Sequence, residues 1–221
     1  PNGSYLTIEN NTVTNFEEYG IYFQSSENSI VNHNRLTGAN GGDWKRGINN
    51  TESNQNAVVN YNYIDVSAQT AGGNYIDQYG IEVHDSKIIG DSIFVYINSS
   101  YGSDGRGIRA DRSIIDSNYV NLQDHYSSNG VSYAIESYGN SDDRPTITNN
   151  TIVATRETAG IWASYADIEN NHIEKGPNNN NDQWAIGHGD YNVITNNTIV
   201  DMALGIYVDN RWDNTITNNT M

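Results

Sequence analysis

The sequence predicts an all-β solenoid: a parallel β-helix of about eight to nine coils, each built from three short strands. Two interleaved repeats and a lean composition carry that expectation. The first repeat is an apolar residue, an Asn three places on, and a second apolar residue two places after that. It is plainest in Thr146-Ile147-Thr148-Asn149-Asn150-Thr151-Ile152-Val153, and it returns at Val193–Val200 and at Thr215–Met221. Looser copies start at Ile8, Val31, Val59, Ile115 and Ile168, and the copy at Ile89–Phe94 is expected to place Ser92 where the others have Asn. The second repeat is a small residue followed by Ile, at Gly20-Ile21, Gly47-Ile48, Gly80-Ile81, Gly107-Ile108, Ala134-Ile135, Gly160-Ile161, Ala185-Ile186 and Gly205-Ile206. Successive pairs lie 27, 33, 27, 27, 26, 25 and 20 residues apart, and the two motifs alternate without a miss.

Within a coil, the small-Ile strand comes first, then a turn, then the two strands that flank the Asn. Each apolar residue anchors its strand from the inside, because side chains alternate across a strand. The Asn sits in the bend, and stacked coils bring these residues into a column. An amide offers two donors and an acceptor, so each Asn can bond its neighbours and the buried bend backbone. Such bonds contribute about 0.5–1.5 kcal/mol net, so the column fixes register more than it supplies stability. Eight aligned Ile in the first strand form the predicted apolar stack, each worth about 1.5–3 kcal/mol when fully buried.

Taken in order, residues 1–18 supply a partial coil without an evident first strand. The following coils begin near Gly20, Gly47, Gly80, Gly107, Ala134, Gly160, Ala185 and Gly205, and Met221 falls where a third strand should start. Length variation is expected in one connection, from the third strand to the next small-Ile strand. That connection reads Gly38–Trp44, Ser67–Gln78, Asn98–Gly105, Gln123–Ser132 and Lys175–Gln183, all rich in Gly, Asn, Ser and Asp. Insertions on one side of a solenoid usually build its functional surface. Residues 1–221 read as one domain, a segment of a longer polypeptide or a unit that stacks end to end through unpaired strand edges.

Hydrophobic residues make up only 36% of the chain, enough for a solenoid that needs about one inward residue in two. A net charge of −16 argues against nucleic acid and anionic membranes as partners. There is no cysteine to form disulfides and no apolar run of the length that spans a bilayer. The acidity makes Ca²⁺ the one cofactor worth considering, through Asp104 or Asp142-Asp143, although no loop has a recognised ligand spacing.

The Asn column, the three strands per coil and the variable loops before the first strand resemble the right-handed parallel β-helix superfamily. Pectate lyases, polygalacturonases, mannuronan C5-epimerases, alginate and chondroitin lyases and phage tailspikes belong to it. The resemblance implies a site on the outer face of the first strand, walled by the variable loops, and an extracellular or cell-surface setting. Gly187-His188-Gly189 is similar to a polygalacturonase motif, but its acidic partners are missing: the equivalent positions hold Trp162, Ser164, Glu136 and Tyr138. Glu82-Val83-His84-Asp85-Ser86-Lys87 followed by Arg109 is loosely similar to a lyase arrangement, with Gly80 where its Ca²⁺-binding acid would stand. No complete active-site motif of the superfamily is matched.

Alternation gives the outward rows of the first strand. One is Tyr22, Asn49, Glu82, Arg109, Glu136, Trp162, Gly187 and Tyr207; the next is Gln24, Thr51, His84, Asp111, Tyr138, Ser164, Gly189 and Asp209. Glu82, His84, Arg109, Asp111, Glu136 and Tyr138 form the candidate catalytic patch. Glu82 and Glu136 lie two coils apart, about 9–10 Å at the backbone, which suits an inverting hydrolase pair. Arg109 with His84 or Tyr138 suits a lyase or epimerase instead. Trp44, Tyr75, Tyr101, Tyr126, Trp162 and Trp184 are candidates for stacking on sugars. The column before the small-Ile pairs (Tyr19, Arg46, Tyr79, Arg106, Tyr133, Ala159, Trp184) reads as a structural cation–π row. Two readings of function stand side by side. One is a carbohydrate-engaging surface, catalytic or not; the other is a structural or adhesive stalk, fibre or tailspike segment that associates with itself.

Overall fold

The computed structural model describes residues 5–24, 27–50, 56–69, 76–98, 103–124, 132–156, 158–176, 184–187, 189–208 and 212–221. Among these the chain winds through three parallel sheets of nine, eight and eight strands, each sheet taking one strand from every coil. The first-strand sheet runs from Tyr19–Tyr22 through Trp44–Asn50, Ile76–Val83, Ser103–Arg109, Ser132–Tyr138, Thr158–Ser164 and Trp184–Gly187 to Leu204–Tyr207. The second-strand sheet runs from Thr7–Glu9 to Thr215–Thr217, and the third from Thr12–Phe16 to Thr198–Val200. This is the predicted parallel β-helix. No described helix is long and apolar enough to cross a membrane.

The register follows the repeats. Ile21, Ile48, Ile81, Ile108, Ile135, Ile161, Ile186 and Ile206 pair in one unbroken line. Ile48 through Ile161 are completely buried. Apolar stacks from the other two sheets, such as Val59–Ile88–Ile115–Ile147 and Ile64–Ile93–Val120–Ile152, close the core.

The amide column forms through Asn11, Asn34, Asn62, Asn118, Asn150, Asn171, Asn197 and Asn219. Asn150 shows the pattern. Its Oδ1 accepts from the Asn118 amide N–H at 2.9 Å and from Asn118 Nδ2 at 3.0 Å. Its Nδ2 donates to the Ile115 carbonyl at 3.0 Å and to Asn171 Oδ1 at 2.9 Å. The residue before each column member is left-handed: Asn10, His33, Tyr61, Gly90, Ser117, Asn149, Asn170, Asn196 and Asn218 all have φ between 52° and 71°. Asn and Gly tolerate that conformation best, which explains the doubled Asn of the motif.

Two expectations need correction. The copy near residue 90 is not centred on Ser92: Ile88 pairs with Ile115, Ser92 pairs with Tyr119, and Asp91 takes the column position. The apolar pair Ile88 and Ile93 keeps the spacing of the other copies, but the search for Asn missed its carboxyl counterpart. Length also varies in a second connection, between the first and second strands. Three residues separate Val83 from Lys87, whereas seven separate Tyr138 from Thr146.

Candidate functional site

The outward row after each Ile pairs as expected, from Tyr22 through Asn49, Glu82, Arg109, Glu136, Trp162 and Gly187 to Tyr207. The column before the small residues lies on the same face, which strict alternation does not foresee. The pairing passes from Arg46–Tyr79 directly to Ile48–Ile81, and from Arg106–Tyr133 directly to Ile108–Ile135. A Cβ on Gly47 would stand 2.4 Å from Ile64 Cγ2, and one on Gly107 would stand 2.3 Å from Val120 Cγ1. The small residue and the Ile therefore both face the core, and the residue before them is thrown outward. Arg46 and Arg106 arrive beside Glu82 and Glu136 for this reason.

The result is an ionic lattice, in which Arg109 Nε and Asp77 Oδ1 are buried without a hydrogen-bond partner. Glu82 Oε2 accepts from Arg46 Nε at 2.8 Å and Asn49 Nδ2 at 2.7 Å, and its Oε1 accepts from Arg109 at 3.3 Å. Glu136 Oε2 pairs with Arg106 and stands 3.8 Å from Arg109 Nε, while its Oε1 accepts from the Tyr138 hydroxyl at 2.9 Å. Arg46 also reaches Asp77 at 3.0 Å, and Arg106 reaches Asp104. Tyr79 lies beneath the guanidiniums, 3.9 Å from Arg46 and 5.9 Å from Arg106, and Tyr133 lies 4.5 Å from Arg106. Both glutamates are only 6% exposed. Arg109, the most accessible of the three cations, lies between them. Burial and the neighbouring carboxylates push the Tyr79 and Tyr138 phenols above the usual tyrosine range, and push Tyr133 up to about 12.

The second row adds His84, Asp111 and Tyr138 at the rim. His84 Nδ1 stands 3.2 Å from the Asp111 amide and 3.3 Å from Asp111 Oδ2. The first contact requires Nδ1 bare and the second requires it protonated, so the imidazole serves one at a time. Burial works to raise the Asp111 carboxyl, but the His84 contact, the Tyr138 amide bond and Arg109 outweigh it and hold the carboxyl below the usual range.

The predicted aromatic residues divide into two groups. Trp44 lies at one end, its ring 5.0 Å from Tyr19, which in turn is 4.8 Å from Tyr22. Trp162 and Trp184 lie at the other end, within a run of rings Tyr133–Trp162–Trp184–Tyr207 spaced 4.8, 6.0 and 5.7 Å apart. A Cβ on Gly187 would stand 2.3 Å from Trp184 Nε1, and one on Gly189 would stand 1.8 Å from the Ala163 carbonyl oxygen. Packing alone thus accounts for both glycines of Gly187-His188-Gly189. Tyr75, Tyr101 and Tyr126 lie outside the described residues. Sequence reasoning missed Arg46, Asp77, Asp104 and Arg106 as members of this face. The available signal was the alternation of Tyr and Arg in phase with the Ile repeat.

Among the described residues, no group of three His, Asp or Glu is arranged to hold a metal. Asp104 turns to Arg106, and the amides of Asp142 and Asp143 donate to Asn140 Oδ1 at 2.9 and 3.0 Å, in a turn that closes on itself.

Comparison with curated proteins gives no match. Among solved structures the chain is similar to PfbA, a surface adhesin of Streptococcus pneumoniae, with a TM-score of 0.61 and 16% identity. The likeness covers 97% of this chain and 61% of the adhesin structure, and at that identity it speaks to fold. The family profile described as "Right handed beta helix region" matches residues 106–221, just over half of the chain. The chain belongs to the right-handed β-helix family.

Proposed function

We propose that the outer face of the first-strand sheet binds a neutral glycan without transforming it, as an adhesive surface outside the cell. The observation that carries this reading is the saturation of the two candidate catalytic carboxylates. An inverting pair needs one carboxyl to give a proton and the other to hold a water between them. Here Arg109 occupies the position between Glu82 and Glu136, and each carboxylate is bonded to further donors on its outer side. A lyase or epimerase must also present a free cation to the uronate carboxylate, and Arg109 already bonds Glu82 at 3.3 Å.

Charge favours a neutral ligand. Asp77, Glu82, Asp104, Asp111 and Glu136 face Arg46, Arg106 and Arg109, so a uronate or sulfate would meet a net negative surface in a chain that is already at −16. The aromatic run supplies the contact area. Trp and Tyr bring large apolar faces with a polar edge and little entropy to lose on binding. Trp162, Trp184 and Tyr207 stand next to the lattice, with Tyr138 at its rim. The ion lattice then acts as a rigid floor that fixes the ring positions. The likeness to a surface adhesin accords with this reading through the fold alone.

A glycan array followed by calorimetric titration tests it. The reading expects a hit among neutral glycans, lost in Trp162→Ala and Trp184→Ala, with no new product after long incubation. Cleavage or epimerisation of any hit, abolished by Glu82→Gln or Glu136→Gln, would establish the catalytic reading instead.

A further inference from the structure

The amide column contains one residue that cannot do what its neighbours do. Every flanking member uses Nδ2 as a donor twice over. Asn62 Nδ2 donates to the Val31 carbonyl at 2.9 Å and onward to Asp91 Oδ1 at 2.9 Å; Asn118 Nδ2 donates to the Ile88 carbonyl at 3.0 Å and onward to Asn150 Oδ1 at 3.0 Å. Asp91 sits between these two residues. Its Oδ1 accepts from the Asn62 amide N–H at 2.7 Å, and its own amide donates to Asn118 Oδ1 at 2.9 Å. Its Oδ2 occupies the place of the missing amide nitrogen, and it is fully buried without a hydrogen-bond partner. By the repeat, the atoms offered to that place are the Val59 carbonyl oxygen and Asn118 Oδ1, and both are acceptors. An ionised carboxylate there would face acceptors with no donor and no water. A protonated one would copy an amide, with the Oδ2 hydrogen doing the work of an Nδ2 hydrogen.

We propose that Asp91 is a proton-binding position in the column: its carboxyl is neutral in the folded coil, with the proton on Oδ2 as the donor the column requires. Loss of that proton weakens coil 76–98, which carries Glu82 and His84 on its outer face. The surroundings supply no alternative compensation. The residue is 1% exposed. Burial is the largest influence on its carboxyl and raises it to about 7, against the lowering effect of the two Asn62 bonds, and no charged group contributes. The titratable residues of the flanking turns are Tyr61, Tyr63, Asp116 and Tyr119. Asp116 turns outward to Thr148 and Asn149.

The sign of the pH dependence follows. The native carboxyl holds its proton up to about neutral pH, whereas the unfolded one releases it near 3.8. The folded state therefore binds more protons between those values, and stability falls as pH rises across that window. Asp91→Asn supplies a permanent donor and removes this dependence.

Unfolding of wild type and Asp91→Asn from pH 4 to 9 tests the proposal. The variant should gain on wild type by up to about tenfold in the folded-to-unfolded ratio per pH unit across the window, levelling off above neutral pH. Asp116→Asn, a charge change outside the column, should show no such gain. A ¹³C carboxyl titration of the folded wild type gives a second readout, with Asp91 titrating near neutral. A wild-type-to-variant gap that stays constant with pH, or an Asp91 signal that titrates below about pH 5, in the usual carboxyl range, would overturn the proposal.

Discussion

Replacing Glu82 by Ala should destabilise the fold by about 3 kcal/mol, and the contacts show how. The substitution removes the acceptors of Arg46 Nε at 2.8 Å, Asn49 Nδ2 at 2.7 Å and Arg109 at 3.3 Å. Hydrogen bonds to charged groups contribute about 1.5–3 kcal/mol each, so the gross loss over the three contacts is about 4.5–9 kcal/mol. Part of it is recovered. Arg46 keeps Asp77 at 3.0 Å, while Arg109, with a 37% exposed side chain, is taken up by water and Glu136. What remains is about 3 kcal/mol, at the low end of the range for breaking a buried ion pair. For a chain of this size that corresponds to a fall of about 6–12 °C in Tm. Thermal unfolding followed by far-UV circular dichroism measures it. The double substitution Arg46→Met with Glu82→Leu should cost less than the sum of its parts, because each single change strands the other member of the pair and the double change removes both. A carboxylate kept for chemistry predicts the reverse, with stability unchanged or raised on its removal. A Glu82→Ala variant within about 0.5 kcal/mol of wild type, the range of ordinary surface changes, would refute the lattice as a structural floor.

Other outcomes follow from the same contacts. Asn150→Ala removes a bond from each of four buried groups of the column, leaving the Asn118 amide and the Ile115 carbonyl without their partner, and should cost about 4 kcal/mol by urea titration, whereas Asn219→Ala, at a half-buried position, should cost about 1 kcal/mol. Tyr79, Tyr133 and Tyr138 are pushed up by burial, so tyrosinate absorbance at 295 nm should rise in two phases, with these three ionising only as the fold is lost. Because their folded values are raised, stability should fall as pH climbs past about 10. Ile135→Ala, in the centre of the apolar stack, should cost about 3–4 kcal/mol in the same urea assay.

The fold was legible because a solenoid writes its register into the chain. Each coil must offer Ile at the same inward position and a turn residue that tolerates positive φ, so spacing alone identified the three strands and the pairing of all eight small-Ile strands. Asp91 was hidden because the column selects for shape: a neutral carboxyl fills the site of an amide, and a search for Asn passes over it. The candidate face was half legible. Its central row followed from alternation, but Arg46 and Arg106 joined it only because Gly47 and Gly107 turn inward beside their Ile, a local break that an even period of two cannot express. The partners of Glu82 and Glu136, which decide whether these are reagents or scaffolding, depended on that break. Tyr75, Tyr101 and Tyr126 fall between the repeats in the sequence, where no motif constrains the chain, and lie outside the described residues.

Calorimetric titration of the chain with the neutral glycans that register on an array, compared with Trp184→Ala and with product analysis of the same mixtures, tests the binding reading most directly. The lattice and the aromatic run predict saturable binding, weakened at least tenfold in the variant, with the glycan recovered unchanged. Binding confined to polyuronates, or any turnover that disappears in Glu82→Gln, would contradict it.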